Sequence, residues 1–142
     1  MQEMRITLAT SVVLAALFIM LSVRVMVLRT KMSISLGSLD PVSFSVGDEH
    51  KASPLFVATR SHANFSEYVP LSLLMLGLIE YDGSPQLVVM MMAALLVLGR
   101  VLHPFGMNQT APNVFRAGGI TLNLLMLSLA ISYGGYRLMA YL

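Results

Sequence analysis

The chain has 142 residues, of which 56% are hydrophobic and 11% charged, with a formal charge of +2 and no cysteine. Soluble domains carry about a quarter charged residues, so this composition places the chain in a bilayer, and its small net charge argues against nucleic acid as a partner. Without cysteine there is no disulfide, thiolate metal site or cysteine nucleophile, and any thiol chemistry must use a thiol that arrives with a ligand.

Four apolar segments are long enough to cross a hydrocarbon core, which takes about 20 helical residues. They fall at about residues 6–28, 55–79, 85–103 and 114–141. Continuous Leu/Met/Ala-rich runs, rather than alternating ones, predict helices, and four spans are too few for a closed barrel. The expected fold is all-α, a single-domain integral membrane four-helix bundle over residues 1–142. The first run lacks a small-residue cleavage site and reads as an uncleaved span.

The connections differ in character. Residues 30–54 form a long loop with Gly37, Asp40, Pro41, Gly47 and the cluster Asp48-Glu49-His50-Lys51; residues 80–84 are a tight acidic turn. Residues 104–113 are rich in Gly, Pro and Asn, with Asn113 placed to cap the last helix. Pro104 directly follows His103 and removes the hydrogen bond to the Arg100 carbonyl, so the third helix is expected to end or kink there. Arg29, Lys31, Lys51 and Arg60 gather around the first loop and Arg100 and Arg116 flank the third, against Arg5 and Arg137 at the other end. The positive-inside rule then puts the first and third loops in the cytoplasm and both termini outside.

The second span carries an unusual load. Each helical residue advances about 100°, so Arg60, Asn64 and Glu67 share an arc of roughly 60°. Glu67 lies about 10 Å further along the axis than Arg60. A charge at mid-membrane costs about 2.5–3.5 kcal/mol, so this face must look into a bundle or a wet cavity. One reading is a structural Arg60–Asn64–Glu67 network. The other is a ligand site, favoured by the cations collected at the same end. Arg100 and His103 are neighbours on one face of the third span, and Arg116 falls in the first turn of the fourth, where the helix dipole disfavours a cation but welcomes an anion. With Arg29, Arg60 and Arg100, Arg116 completes a basic rim around one carboxylate. The three histidines lack metal-ligand spacing, no glycine-rich phosphate loop is present, and Met90-Met91-Met92 is flexible packing material. Tyr133, Tyr136 and Tyr141 read as interfacial aromatics.

The pattern Arg60-x-His62-x-Asn64-x-x-Glu67-Tyr68-x-Pro70, then Gly99-Arg100-x-x-His103, then Arg116-x-x-Gly119, resembles the MAPEG family (membrane-associated proteins in eicosanoid and glutathione metabolism), most closely its small bacterial branch. The resemblance implies a homotrimer in a bacterial inner membrane, with glutathione bound between subunits near the cytoplasmic side. It implies that Arg60, Asn64, Glu67 and Tyr68 hold the glutathione backbone and carboxylates, that Arg29, Arg100 and His103 add contacts, and that Arg116 stabilises the thiolate. His62 matches the motif and is counted with these glutathione-binding residues, although it points to another face of its helix.

The chemistry suits these residue types. Arginines pair with the two glutathione carboxylates, Glu67 accepts from the ammonium, and a guanidinium lowers a thiol pKa from about 8.5 by favouring the thiolate. Two departures stand out: Met107 occupies the position where catalytic members often carry tyrosine, and the 30–54 loop is longer than usual, as a lid or partner surface would be. The leading expectation is therefore a glutathione-dependent transferase or peroxidase acting on a lipophilic small-molecule substrate. The alternatives are a non-catalytic trimeric lipid-binding or scaffold protein of the same fold and, more remotely, a small conducting subunit built on Glu67.

Overall fold

A computed structural model describes residues 4–34, 53–109 and 113–142. Its four helices run in chain order: α1 (Arg5–Met32), α2 (Pro54–Tyr81), α3 (Gln86–Met107) and α4 (Val114–Met139), with no strand among the described residues. The all-α expectation holds.

Each helix start has an identifiable cause. In α2, Ser53 accepts through Oγ from the Phe56 N–H at 3.1 Å, and Pro54 occupies the first helical position, where its missing N–H costs nothing. In α4, Asn113 Oδ1 accepts from the N–H groups of Phe115 (2.9 Å) and Arg116 (3.3 Å), as its capping chemistry predicts. Met4, at the head of α1, has no side chain able to cap. Its work is done from 74 residues away: Glu80 Oε1 accepts from the Ile6 N–H at 2.9 Å and Oε2 from the Thr7 N–H at 2.7 Å. This carboxylate is only 6% exposed, and it satisfies two of the orphan donors of α1 while facing the positive end of the helix dipole. Glu80, read from the sequence as part of an acidic turn, is thus the last turn of α2 and a clamp on α1.

The third helix departs from expectation. It runs through His103 to Met107, with Pro104 inside it. The proline does cost the Arg100 carbonyl its partner, but packing against α4 carries the helix onward. A methyl group at Gly106 would collide with the backbone nitrogen of Arg116, and one at Gly99 would lie 2.8 Å from the Gly119 carbonyl oxygen. Glycines on both helices let the backbones touch, as small residues do between membrane helices.

Leu14, Leu21, Phe65, Leu76, Leu96 and Met126 are among the side chains of the buried core. Two ties mark one end of the bundle: the Glu80 clamp, and Arg137 Nε paired with Asp82 Oδ2 at 2.8 Å, where the Tyr141 hydroxyl also donates to Asp82 Oδ1 at 2.7 Å. Tyr141 therefore anchors the α2–α3 turn as well as standing near the chain end. At the opposite end Arg24 of α1 donates to Asn108 Oδ1 just past α3. Among the described residues, α1, α3 and α4 are long and apolar enough to cross a membrane on composition alone. With 28 residues, α2 reaches about 42 Å, but polar side chains interrupt its apolar surface. The long first loop, residues 35–52, lies outside the described residues, and with it the reading of a lid or partner surface.

Candidate functional site

The residues flagged by the sequence divide into those the bundle gathers and those it displays. Arg100 is the centre of the first group. It is 2% exposed, donates through Nη1 to Asn64 Oδ1 at 3.0 Å, and holds its guanidinium carbon 5.5 Å from the centre of the Tyr68 ring. Asn64 and Tyr68 are four residues apart on α2 and so present one face to α3. Both partners are uncharged. The Nε of Arg100 is buried and finds no hydrogen-bond partner among the described residues. A buried cation without a carboxylate is costly, and a buried donor without an acceptor adds about 1–3 kcal/mol.

His103 stands one turn beyond Arg100 and is 3% exposed. Its backbone packs against α4 so closely that a methyl group at Gly119 would lie 2.7 Å from the His103 nitrogen. The same α3–α4 seam brings Gly106 against the backbone of Arg116. The motif glycines Gly99 and Gly119 thus have a mechanical purpose: they draw the first turn of α4, and its arginine, up to the Arg100–His103 face of α3. Gly106 completes the seam; its place seven residues after Gly99, on the same helix face, is the sequence signal for it.

The second group lines the outside of the same region. Arg60, Glu67 and Arg116 are exposed and Arg29 is half-buried. Among the described residues, Glu67 makes no ion pair with Arg60, and Asn64 is held by Arg100 instead. A closed Arg60–Asn64–Glu67 network is therefore absent within the described residues of one subunit. Among the described residues no ion pair joins the acidic and basic groups of this face.

His62 belongs elsewhere, as its helical position implies. Its Nε2 lies 3.0 Å from Ser22 Oγ and its ring centre 4.9 Å from that of Phe18, so it joins α2 to α1. Among the described residues no group of histidine and acidic side chains could hold a metal ion.

The arrangement is a buried guanidinium bracketed by an amide and a phenol, with further arginines and one carboxylate on the adjoining exposed face. Asn64, Tyr68 and Arg100 are held in place by contact with one another. Neither curated proteins nor solved structures yield a match to the chain. A family model does: that of the MAPEG family matches residues 7–135, from the first turn of α1 to near the end of α4. With nearly the whole bundle covered, glycine seam and polar face included, the chain belongs to the MAPEG family, whose members include glutathione transferases and peroxidases as well as non-catalytic proteins.

Proposed function

We propose that this integral membrane protein binds glutathione at the Arg100 face and uses its thiolate against lipophilic electrophiles or hydroperoxides. The observation that supports the reading is Arg100: buried and, among the described residues, held by the neutral groups Asn64 and Tyr68 with Nε unsatisfied. A carboxylate supplied by a ligand would compensate both the charge and the orphan donor. Arg60 would take the second carboxylate and Glu67 the ammonium, each from the exposed face of α2. Because that face is open in one chain, a homotrimer in which a neighbouring subunit closes it is part of the proposal, with Arg29 and His103 completing the wall. Apolar electrophiles would reach the site laterally from the bilayer.

Arg116 is the residue proposed to act on the reacting atom. Its guanidinium favours the thiolate, which displaces a leaving group from an electrophilic carbon to form a thioether. Against a hydroperoxide, the sulfur takes the terminal oxygen, releasing an alcohol and a sulfenic acid that a second glutathione converts to disulfide and water. The basic end of the bundle is proposed to face the cytoplasm of a bacterial cell, where the first and third loops would lie.

Calorimetric titration of the detergent-solubilised protein with glutathione tests the site. Binding that is lost in Arg100→Gln, Arg60→Ala and Glu67→Ala supports it; equal affinity in all four proteins refutes it. Met107 favours a second reading, a non-catalytic lipid-binding or scaffold protein, because a thioether stands where the resemblance places a phenol. Glutathione-dependent turnover of a chlorinated aromatic electrophile or a hydroperoxide excludes that reading.

A further inference from the structure

A second site lies on α1, on surface the glutathione reading does not use. A groove of about 520 Å³ is walled by Ile19, Met20, Val23 and Val27 and edged by Pro54 of α2, with Arg24 the charged residue among its described lining. Arg24 is 19 residues from Arg5, about 28 Å along the helix, against a hydrocarbon core of about 30 Å. With Arg5 set at one interface, that spacing sets Arg24 at the other, between acyl chains and headgroups. Lys31 follows seven residues later on the same helix face, about 10 Å further out, and is exposed.

Among the described residues the charge at this end of α1 has no acidic partner. The described partner of Arg24 is the neutral carboxamide of Asn108, which is held in turn by donating through Nδ2 to the Pro104 carbonyl at 2.8 Å. No carboxylate pairs with Arg24 or Lys31 among the described residues. Aliphatic walls below a fixed cation, with a second cation one headgroup further out, reproduce the polarity gradient of a lipid with inverted charge. We propose that the groove holds an acyl chain of an anionic phospholipid, with the phosphate at Arg24 and the outer headgroup toward Lys31. Each cation near an anionic lipid surface contributes about a fivefold preference.

The chain contains no tryptophan, so one can be placed as a reporter. Met20→Trp puts it on a wall position that is already 66% exposed, and Leu124→Trp puts it on α4 as a reference. In vesicles of phosphatidylcholine, the brominated-chain form of phosphatidylglycerol should quench the Met20→Trp protein at several-fold lower mole fraction than brominated phosphatidylcholine does. The preference should be absent in Leu124→Trp and should shrink about fivefold on adding Lys31→Gln, a change that disturbs no described contact. Native mass spectra of the unaltered protein from mixed micelles should likewise retain phosphatidylglycerol over phosphatidylcholine. Equal quenching by the two lipids, a preference as large at Leu124→Trp, or no quenching because a second copy covers the groove, each overturns the proposal. So does a preference in mass spectra that survives both Arg24→Gln and Lys31→Gln.

Discussion

Arg100 and Asn64 form the joint of the proposed site: a guanidinium from α3 donates to an amide oxygen from α2 across 3.0 Å, with both charge and one N–H left uncompensated among the described residues. Replacing the amide with a carboxylate would supply internally what a ligand is proposed to supply. Asn64→Asp is therefore expected to keep the bundle folded while weakening glutathione binding at least tenfold, the equivalent of about 1.4 kcal/mol. Calorimetry together with thermal unfolding separates the two effects. Unchanged affinity in a folded variant would mean that the charge on Arg100 is not what the ligand meets.

The α3–α4 seam predicts a sharp contrast among glycines. A methyl group at Gly106 meets the Arg116 backbone and one at Gly99 meets the Gly119 carbonyl, whereas Gly118, Gly134 and Gly135 have open space. Gly99→Ala and Gly106→Ala should each destabilise by about 1–3 kcal/mol, because backbone rather than a flexible side chain must move. Gly134→Ala should be neutral or stabilising within about 1 kcal/mol, since alanine is the better helix former. Thermal denaturation in detergent reads both.

Glu80 gives a test of the long-range clamp. Glu80→Ala leaves the N–H groups of Ile6 and Thr7 without acceptors in a buried setting and should cost about 1–3 kcal/mol. Glu80→Gln retains one carbonyl oxygen and should lose less. By contrast, Asp82→Ala removes an ion pair whose side chains are both 29% exposed, together with the exposed Tyr141 hydrogen bond, and should cost about 1 kcal/mol. Hydrogen exchange at the first turn of α1 should rise only in the Glu80 variants.

Much of this was readable in the residues, and the limits of that reading are physical. Helical periodicity put Asn64 on an arc with Arg60 and Glu67 and paired Arg100 with His103, while Tyr68 entered through the family resemblance; the structure joins Asn64 and Tyr68 to Arg100 and leaves Arg60 and Glu67 exposed. Periodicity also separated His62 from them, and the ring indeed turns toward Ser22 and Phe18. What periodicity does not encode is which helix lies opposite. The clamp of Glu80 on α1 spans 74 residues, and nothing in the local sequence of α1 announces a borrowed cap beyond the lack of one at Met4. The third helix outran its expected end for a related reason. Pro104 is a local stop signal, while the glycine contacts that override it are tertiary.

Arg116 and Met107 predict a division between binding and turnover. Arg116→Ala should leave glutathione affinity within a few fold while lowering the rate with an electrophile by ten-fold or more, and it should reduce the ultraviolet signal of bound thiolate at neutral pH. Met107→Tyr, which restores the hydroxyl donor expected from the family resemblance, should raise either the thiolate fraction or the rate. A variant of Arg116 that binds poorly but turns over normally would reverse the proposed roles.

The most direct measurement is a calorimetric titration of the intact detergent-solubilised protein with glutathione, set beside the same titration of Arg100→Gln. The account predicts saturable binding by the first, and at least a tenfold loss in the second with its unfolding transition preserved. Indistinguishable isotherms from the two folded proteins would contradict it.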